Sequence, residues 1–202
     1  MTADLRAFIA REIGAEPNER YWAIFEQLRR ELGYADYLGA LQRYRAENPE
    51  AMHIQAVSLH LLAYPFADRL YPGALDVIDH LRERGPVALL TDGDVVFQPH
   101  KVKQSGLRAA VHERVLIYVH KEVMLADVER RFPARHYVMV DDKIRLLTAI
   151  KEYWQDRVTT VFVRQGHYAL DLAEVTKYPP ADVTIDRIAD LLSLALSVPS
   201  PP

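Results

Sequence analysis

From residue 71 onward, short apolar runs alternate with stretches of helical periodicity, and no other feature of the sequence constrains the fold as strongly. The runs that predict strands are 87–91, 115–119, 137–140, 158–163 and 183–185. Helical periods lie at 73–84, between the first strand and Gly106, and at 123–131, 143–154 and 188–196. Because parallel strands need crossover connections, this alternation favours an α/β fold. We therefore expect a Rossmann-like parallel sheet with helices on both faces, whose first strand is buried on both sides.

The first 64 residues show helical periods only. Four apolar stripes end at helix-stop signals, which are Gly14, Gly33, Asn48-Pro49 and Tyr64-Pro65. This pattern predicts a small helical bundle in front of the α/β region. The predicted organisation is a helical cap over 1–66, an α/β core over 67–196 and a disordered tail over 197–202.

Composition narrows the classes of partner and chemistry. A chain of 202 residues with a net charge of −3 and a pI near 6.2 gives no reason to expect nucleic acid or an anionic membrane as partner. The absence of cysteine excludes disulfides, cysteine-ligated zinc, iron–sulfur clusters and a thiol nucleophile. Neither a signal peptide nor a run of about 20 apolar residues is present. We expect a soluble cytoplasmic protein whose oligomeric state is open.

Polar side chains follow three of the predicted strands, where a parallel sheet binds its ligands. The first strand is followed by Thr91-Asp92-Gly93-Asp94, the second by His120-Lys121, and the third by Asp141-Asp142. A hydroxyl, an ammonium and paired carboxylates suit a phosphoryl group with a divalent cation, because Mg²⁺ prefers hard oxygen ligands. The sequence therefore predicts that Thr91, Lys121 and Asp142 cluster at one edge of the sheet.

These residues resemble the motifs of the haloacid-dehalogenase-like (HAD) superfamily. The run Leu89-Leu-Thr-Asp-Gly-Asp94 resembles the second motif, with Gln98, Lys101 and Gly106-Leu107 after it. Lys121 lies where the superfamily places its third-motif lysine, and the run Val138-Met-Val-Asp-Asp142 resembles the fourth motif. The leading helices resemble the helical cap of many members, and Tyr71-Pro-Gly73 resembles the return from cap to core. The ordered set spans essentially the whole chain.

The resemblance implies a Mg²⁺-dependent phosphatase that acts on a small phosphorylated molecule through an aspartyl-phosphate. Thr91 would hold a phosphoryl oxygen, with Asp92 and Gly93 in the same substrate site. Lys121 would offset negative charge, and Asp141 with Asp142 would hold Mg²⁺.

The superfamily's first motif, Asp-x-Asp-x-Thr after an apolar strand, has no counterpart near Asp4. The resemblance implies that this missing strand lies between the strands that end at Thr91 and Val140. We therefore expect a truncated start, weak Mg²⁺ binding and almost no hydrolysis by these 202 residues.

Several alternatives remain open at this stage. Asp92-Gly-Asp94 could itself be the nucleophile motif, although no later strand end would then supply its partners. Asp92 and Asp94 could be turn residues, and Asp141-Asp142 could cap the following helix. The chain could also be a non-catalytic module that binds a phosphorylated ligand, or, less in keeping with its paired aspartates, a metal-independent dehalogenase.

Overall fold

The computed structural model describes residues 1–195 and confirms a mixed α/β fold with parallel strands flanked by helices. Its α-helices are α1 (Thr2–Ile13), α2 (Ala15–Leu32), α3 (Tyr37–Glu47), α4 (Ile54–Leu62), α5 (Ala74–Arg82), α6 (Phe97–Gln104), α7 (Leu107–Ala110), α8 (Leu125–Arg131), α9 (Ile144–Trp154) and α10 (Leu172–Val175). Its strands are β1 (Leu89–Asp92), β2 (Val115–Tyr118), β3 (Tyr137–Asp141), β4 (Val158–Val163) and β5 (Val183–Ile185). Short 3₁₀ segments lie at Ala67–Arg69, Lys121–Val123, Gln155–Arg157 and Ile188–Leu192.

The chain forms two compact units. The first contains residues 1–70 and 88–121, and the second contains residues 71–87 and the chain from 122 onward. In the first unit β1 pairs with β2, and in the second the strand order is β3-β4-β5, with every pairing parallel. The separation into a cap over 1–66 and a core over 67–196 stays a prediction.

The first unit has an aromatic core built from its helices. The apolar stripes of α1 to α4 bury Leu5, Ile9, Tyr21 and Ile24 completely, and Phe97 from α6 packs into the same cluster. The polar tip of Trp22 is satisfied within this core, because its indole nitrogen donates to Oδ1 of Asn18 at 3.0 Å. Burial of these rings and of the aliphatic side chains around them stabilises this unit.

In the second unit both faces of the sheet are covered. Alternate residues of β4 point to opposite faces, so Val161 and Val163 pack with Val77 of α5 while Phe162 packs with Ile144 at the start of α9. Five of the six β4 residues are buried. This arrangement is the layered α/β packing that the apolar run predicted.

The first strand differs from its prediction. All four residues of β1 are half-buried instead of buried on both faces. Within residues 1–195 a strand partner lies along only one edge of β1, which leaves its residues more accessible than those of β4.

Two helical predictions also need correction. The helix predicted to run from the first strand to Gly106 is α6, which ends at Gln104, and Gly106 then adopts a φ of +81° before α7. The helix predicted over 188–196 is a 3₁₀ segment that ends at Leu192. The predicted tail over 197–202 lies outside the described residues. In that described part of the chain, no helix is long and apolar enough to cross a membrane.

Candidate active site

The ends of β1 and β2 are joined through Asp92. Its Oδ1 accepts the backbone N–H of Lys121 at 2.7 Å, and the Gly93 amide donates to the carbonyl of Tyr118 at 2.9 Å. Lys121 is buried, with 7% of its surface exposed, and its Nζ lies 3.3 Å from the carbonyl oxygen of Leu90. An ammonium group is therefore held beside the carboxyl end of β1, next to Thr91.

The Thr91 hydroxyl lies in a short chain of hydrogen bonds. The side-chain nitrogen of Gln98 donates to Thr91 Oγ1 at 2.9 Å, and Lys101 Nζ donates to Gln98 Oε1 at 3.2 Å. The hydroxyl itself has a long contact of 3.3 Å with the carbonyl oxygen of Asp92. Burial lowers the pKa of Lys101, and the nearby carboxylate of Asp94 opposes that shift.

Asp94 anchors the turn that leads into α6. Its Oδ1 accepts the amides of Val96 at 2.8 Å and Phe97 at 2.6 Å, which are donors at the start of the helix. This geometry is that of the turn residue considered above. Together with the bond from Asp92 to the Lys121 amide, it favours structural roles for both aspartates over the register in which Asp92 is the nucleophile.

The second unit carries the paired carboxylates. Asp141 ends β3, and its Oδ1 accepts the Lys143 amide at 2.8 Å, immediately before α9. At Gly166, where φ is +89°, an added Cβ would lie 2.5 Å from Oδ2 of Asp142. The lack of a side chain at Gly166 therefore allows the Asp142 carboxylate to lie against the backbone there.

The Asp141 and Asp142 carboxylates are chemically suited to bind Mg²⁺. The cation often uses one or two carboxylates and completes its octahedron with waters and substrate oxygens. Asp141 and Asp142 supply such carboxylates at the end of one strand. Among residues 1–195 no group of three or more histidine, aspartate or glutamate side chains could hold a metal ion, so this pair would rely on ligands from elsewhere.

Known proteins identify the family. A family model described as haloacid dehalogenase-like hydrolase matches residues 3–153. The chain belongs to this family. A solved structure from Burkholderia xenovorans LB400, assigned to the haloacid dehalogenase-like hydrolases, is 60% identical in sequence to this chain. The matched region includes 96% of this chain and 90% of the Burkholderia chain, and the two superpose with a TM-score of 0.92. No curated protein is significantly similar to the chain.

Within this hydrolase, the structure brings Thr91, Asp92, Gly93 and Lys121 together at the ends of β1 and β2. Asp141 and Asp142 belong to the second unit, and their proximity to Thr91 and Lys121 stays a prediction. The metal and substrate roles of all six residues likewise remain predictions.

Three contacts of this hydrolase do not follow from the sequence. The sequence marks Gln98 and Lys101 only as motif positions, but in the structure Lys101 donates to Gln98 and Gln98 donates to the Thr91 hydroxyl. Their spacing of three residues on one helix was the available signal, since such residues share a helix face. Gly166 carried no comparable signal, because its contact with Asp142 depends on how the chain returns after β4.

Proposed function

We propose that this hydrolase is a Mg²⁺-dependent phosphatase that acts on a small phosphate ester through an aspartyl-phosphate. The observation that carries the proposal is the buried Lys121, whose backbone is fixed by Asp92 beside Thr91. A buried ammonium and a hydroxyl at adjacent strand ends match the oxygens of a phosphoryl group.

Each residue has a distinct part in this mechanism. The Thr91 hydroxyl donates a hydrogen bond to a phosphoryl oxygen, and Gly93 belongs to the same substrate site. The Lys121 ammonium offsets charge that accumulates on the phosphoryl group as the nucleophile attacks. Such fixed donors act without reorganisation, which is why they lower the barrier.

Asp141 and Asp142 would hold Mg²⁺. When bound, this ion neutralises phosphoryl oxygens and orients the ester. The two carboxylates would hold the ion at the end of β3, and the lack of a side chain at Gly166 lets the Asp142 carboxylate lie against the backbone there.

The nucleophile requires an aspartate beyond the residues assigned so far. The covalent route splits hydrolysis into two displacements, each of which is easier than direct attack by water. The resemblance to the family implies that an Asp-x-Asp-x-Thr motif after an apolar strand supplies this nucleophile and its acid–base partner.

The test compares the 202-residue chain with a version extended by about 20 residues that carry such a strand and loop. We expect only the extended protein to hydrolyse p-nitrophenyl phosphate in the presence of Mg²⁺. Changing the first aspartate of the added motif to asparagine should abolish hydrolysis and preserve folding. Lys121→Met should lower kcat about 10²–10³-fold, whereas the same change at exposed Lys103 should have little effect.

The outcomes separate this proposal from its main alternative. Hydrolysis by the unextended chain would contradict the need for an added aspartate. An inactive extended protein that still binds inorganic phosphate through Lys121 would instead identify a binding module for phosphorylated ligands.

A further inference from the structure

We infer that Gln98, held by Lys101, is a positioning residue that directs the proton of the Thr91 hydroxyl toward the phosphoryl group. This inference rests on the proposed function, because it assigns the Thr91 hydroxyl to a phosphoryl oxygen. It adds a chain of three side chains, Lys101, Gln98 and Thr91, whose hydrogen-bond directions are determined by chemistry.

The direction begins at Lys101. An ammonium group has three donors and no acceptor, so the atom of Gln98 that faces it must be the oxygen. The observed contact, Nζ to Oε1 at 3.2 Å, satisfies that requirement. The orientation of the Gln98 amide is thereby fixed, and its NH₂ group faces the other way, toward β1.

The second step concerns Thr91. Since the Gln98 NH₂ group can only donate, the Thr91 oxygen must accept this hydrogen bond, which is 2.9 Å long. The hydroxyl proton must then point away from Gln98. Its contact with the Asp92 carbonyl, 3.3 Å, is longer than an ordinary O–H···O bond. The proton is therefore available for exchange to a stronger acceptor such as a phosphoryl oxygen.

Packing holds Gln98 in this position. At Gly93 an added Cβ would lie 2.7 Å from both Cβ and Cγ of Gln98, so the side chain lies directly against the turn after β1. Gln98 is in the first turn of α6, whose start is anchored by Asp94. The desolvated position of Lys101 is consistent with a group that faces Gln98 and not the solvent.

Gln98→Glu tests the direction of the chain. A glutamate has the same shape and still accepts from Lys101, but as a carboxylate it cannot donate to Thr91. The hydroxyl would turn its proton toward the new carboxylate and no longer present it to the phosphoryl group. We expect the affinity of the full chain for inorganic phosphate, measured by ³¹P NMR titration, to fall about tenfold or more.

Two controls separate positioning from added charge. Gln104→Glu places the same charge at an exposed position of the same helix, and we expect it to change phosphate affinity by less than about twofold. Thr91→Val removes the hydroxyl but retains the shape. Gln98→Glu should have no further effect on affinity in the Thr91→Val background, because no proton remains to be redirected.

The outcomes distinguish failure of the inference from failure of the proposed function. If Thr91→Val weakens phosphate binding but Gln98→Glu does not, the Gln98 role is wrong and the Thr91 role stands. The Gln98 role is also wrong if Gln98→Glu is equally damaging with and without the Thr91 hydroxyl, since the charge then acts directly. If Thr91→Val binds phosphate as tightly as the unaltered chain, both proposals fail.

A second measurement needs no ligand. The side-chain amide resonances of Gln98 in ¹H–¹⁵N spectra should shift in Thr91→Val and in Lys101→Met, since each change removes one partner of the amide. Unchanged resonances in both variants would contradict the chain of hydrogen bonds even if Gln98→Glu failed to fold.

Discussion

Gly93 shows how a single residue determines the shape of the turn after β1. We predict that Gly93→Ala destabilises the protein by about 1–3 kcal/mol, because the new Cβ would meet Cβ of Gln98 at 2.7 Å. A contact with a Cβ atom cannot be relieved by a rotamer change, so the backbone after β1 would have to move. Chemical denaturation, monitored by circular dichroism, measures the change.

Gly85→Ala is the matched control for that variant. An added Cβ at Gly85 meets no atom within 4 Å, so we expect a change within about 1 kcal/mol, and in the stabilising direction if the backbone tolerates alanine. Equal stabilities of the Gly93→Ala and Gly85→Ala variants would show that the turn after β1 adapts without cost.

For single residues, the sequence predicted their positions relative to the strands better than it predicted their contacts. The sequence predicted Thr91 and Lys121 after two strands, since an apolar run followed by polar residues marks a strand end. In the structure Thr91 is the last residue but one of β1, and Lys121 begins the 3₁₀ segment after β2. The bond between the Lys121 amide and Asp92 could not be predicted. It joins the last residue of β1 to the 3₁₀ segment that follows β2, and it depends on the register of the two strands, in which Asp92 lies opposite Tyr118.

Among the elements, β5 is attached to β4 through Asp182. Its Oδ2 accepts the amide and the hydroxyl of Thr160 at 2.8 and 2.9 Å and the ammonium of Lys151 at 2.9 Å. Thr160 is buried, with 2% of its surface exposed, so removal of this carboxylate leaves buried donors without their acceptor. We predict that Asp182→Ala lowers the free energy of unfolding by about 1–3 kcal/mol. Asp156→Ala, at an exposed site, should change it by less than about 0.5 kcal/mol.

The stabilisation that the Asp182 carboxylate provides also depends on pH. Partial burial raises the pKa of Asp182, but hydrogen bonds from Thr160 and Lys151 outweigh that effect and lower the pKa below its ordinary value. A carboxyl with a lowered pKa in the folded state stabilises the protein above its unfolded-state pKa, near 3.8, and loses this contribution as the pH falls through the folded-state pKa. The stability difference between Asp182→Ala and the unaltered chain should therefore narrow below about pH 4. A difference that is constant from pH 7 to pH 3 would contradict this role.

The strands β4 and β5 are the elements whose bounds the sequence predicted best. The bounds of β4 and β5 agree with the runs 158–163 and 183–185, because β-branched and aromatic residues dominate them. The short helix α10 was missed, since four residues give no usable period. The 3₁₀ segment Ile188–Leu192 was mistaken for a longer helix because its apolar residues continue beyond its last turn.

For the whole molecule, the two units predict two separable unfolding transitions. The apolar clusters around Trp22 and around β4 each draw all their residues from one unit. Trp22 lies in the first unit, and Trp154, stacked on Tyr137 with ring centres 4.2 Å apart, lies in the second. These are the only two tryptophans of the chain, so each reports on one unit.

We predict that Trp22→Phe and Trp154→Phe variants, followed by the fluorescence of the remaining tryptophan, unfold at different midpoints. Calorimetry on the unaltered chain should then show a transition broader than a two-state process allows. Coincident midpoints with a two-state calorimetric profile would mean that the units unfold as one.

The position of β4 between two partner strands also determines how slowly its amide hydrogens exchange with solvent. Its backbone is bonded to β3 along one edge and to β5 along the other, and five of its six residues are buried. Opening of this strand requires loss of the whole sheet of the second unit, so the amides of residues 161–163 should be among the last to exchange in deuterium oxide.

Along β1 the amides of Leu89 and Gly93 face the β2 edge and donate to the carbonyls of residues 114 and 118. Those of Leu90 and Asp92 face the other edge, along which no strand among residues 1–195 is paired with β1, and should exchange sooner. The order of exchange along this short segment would thus record which edge of β1 is open.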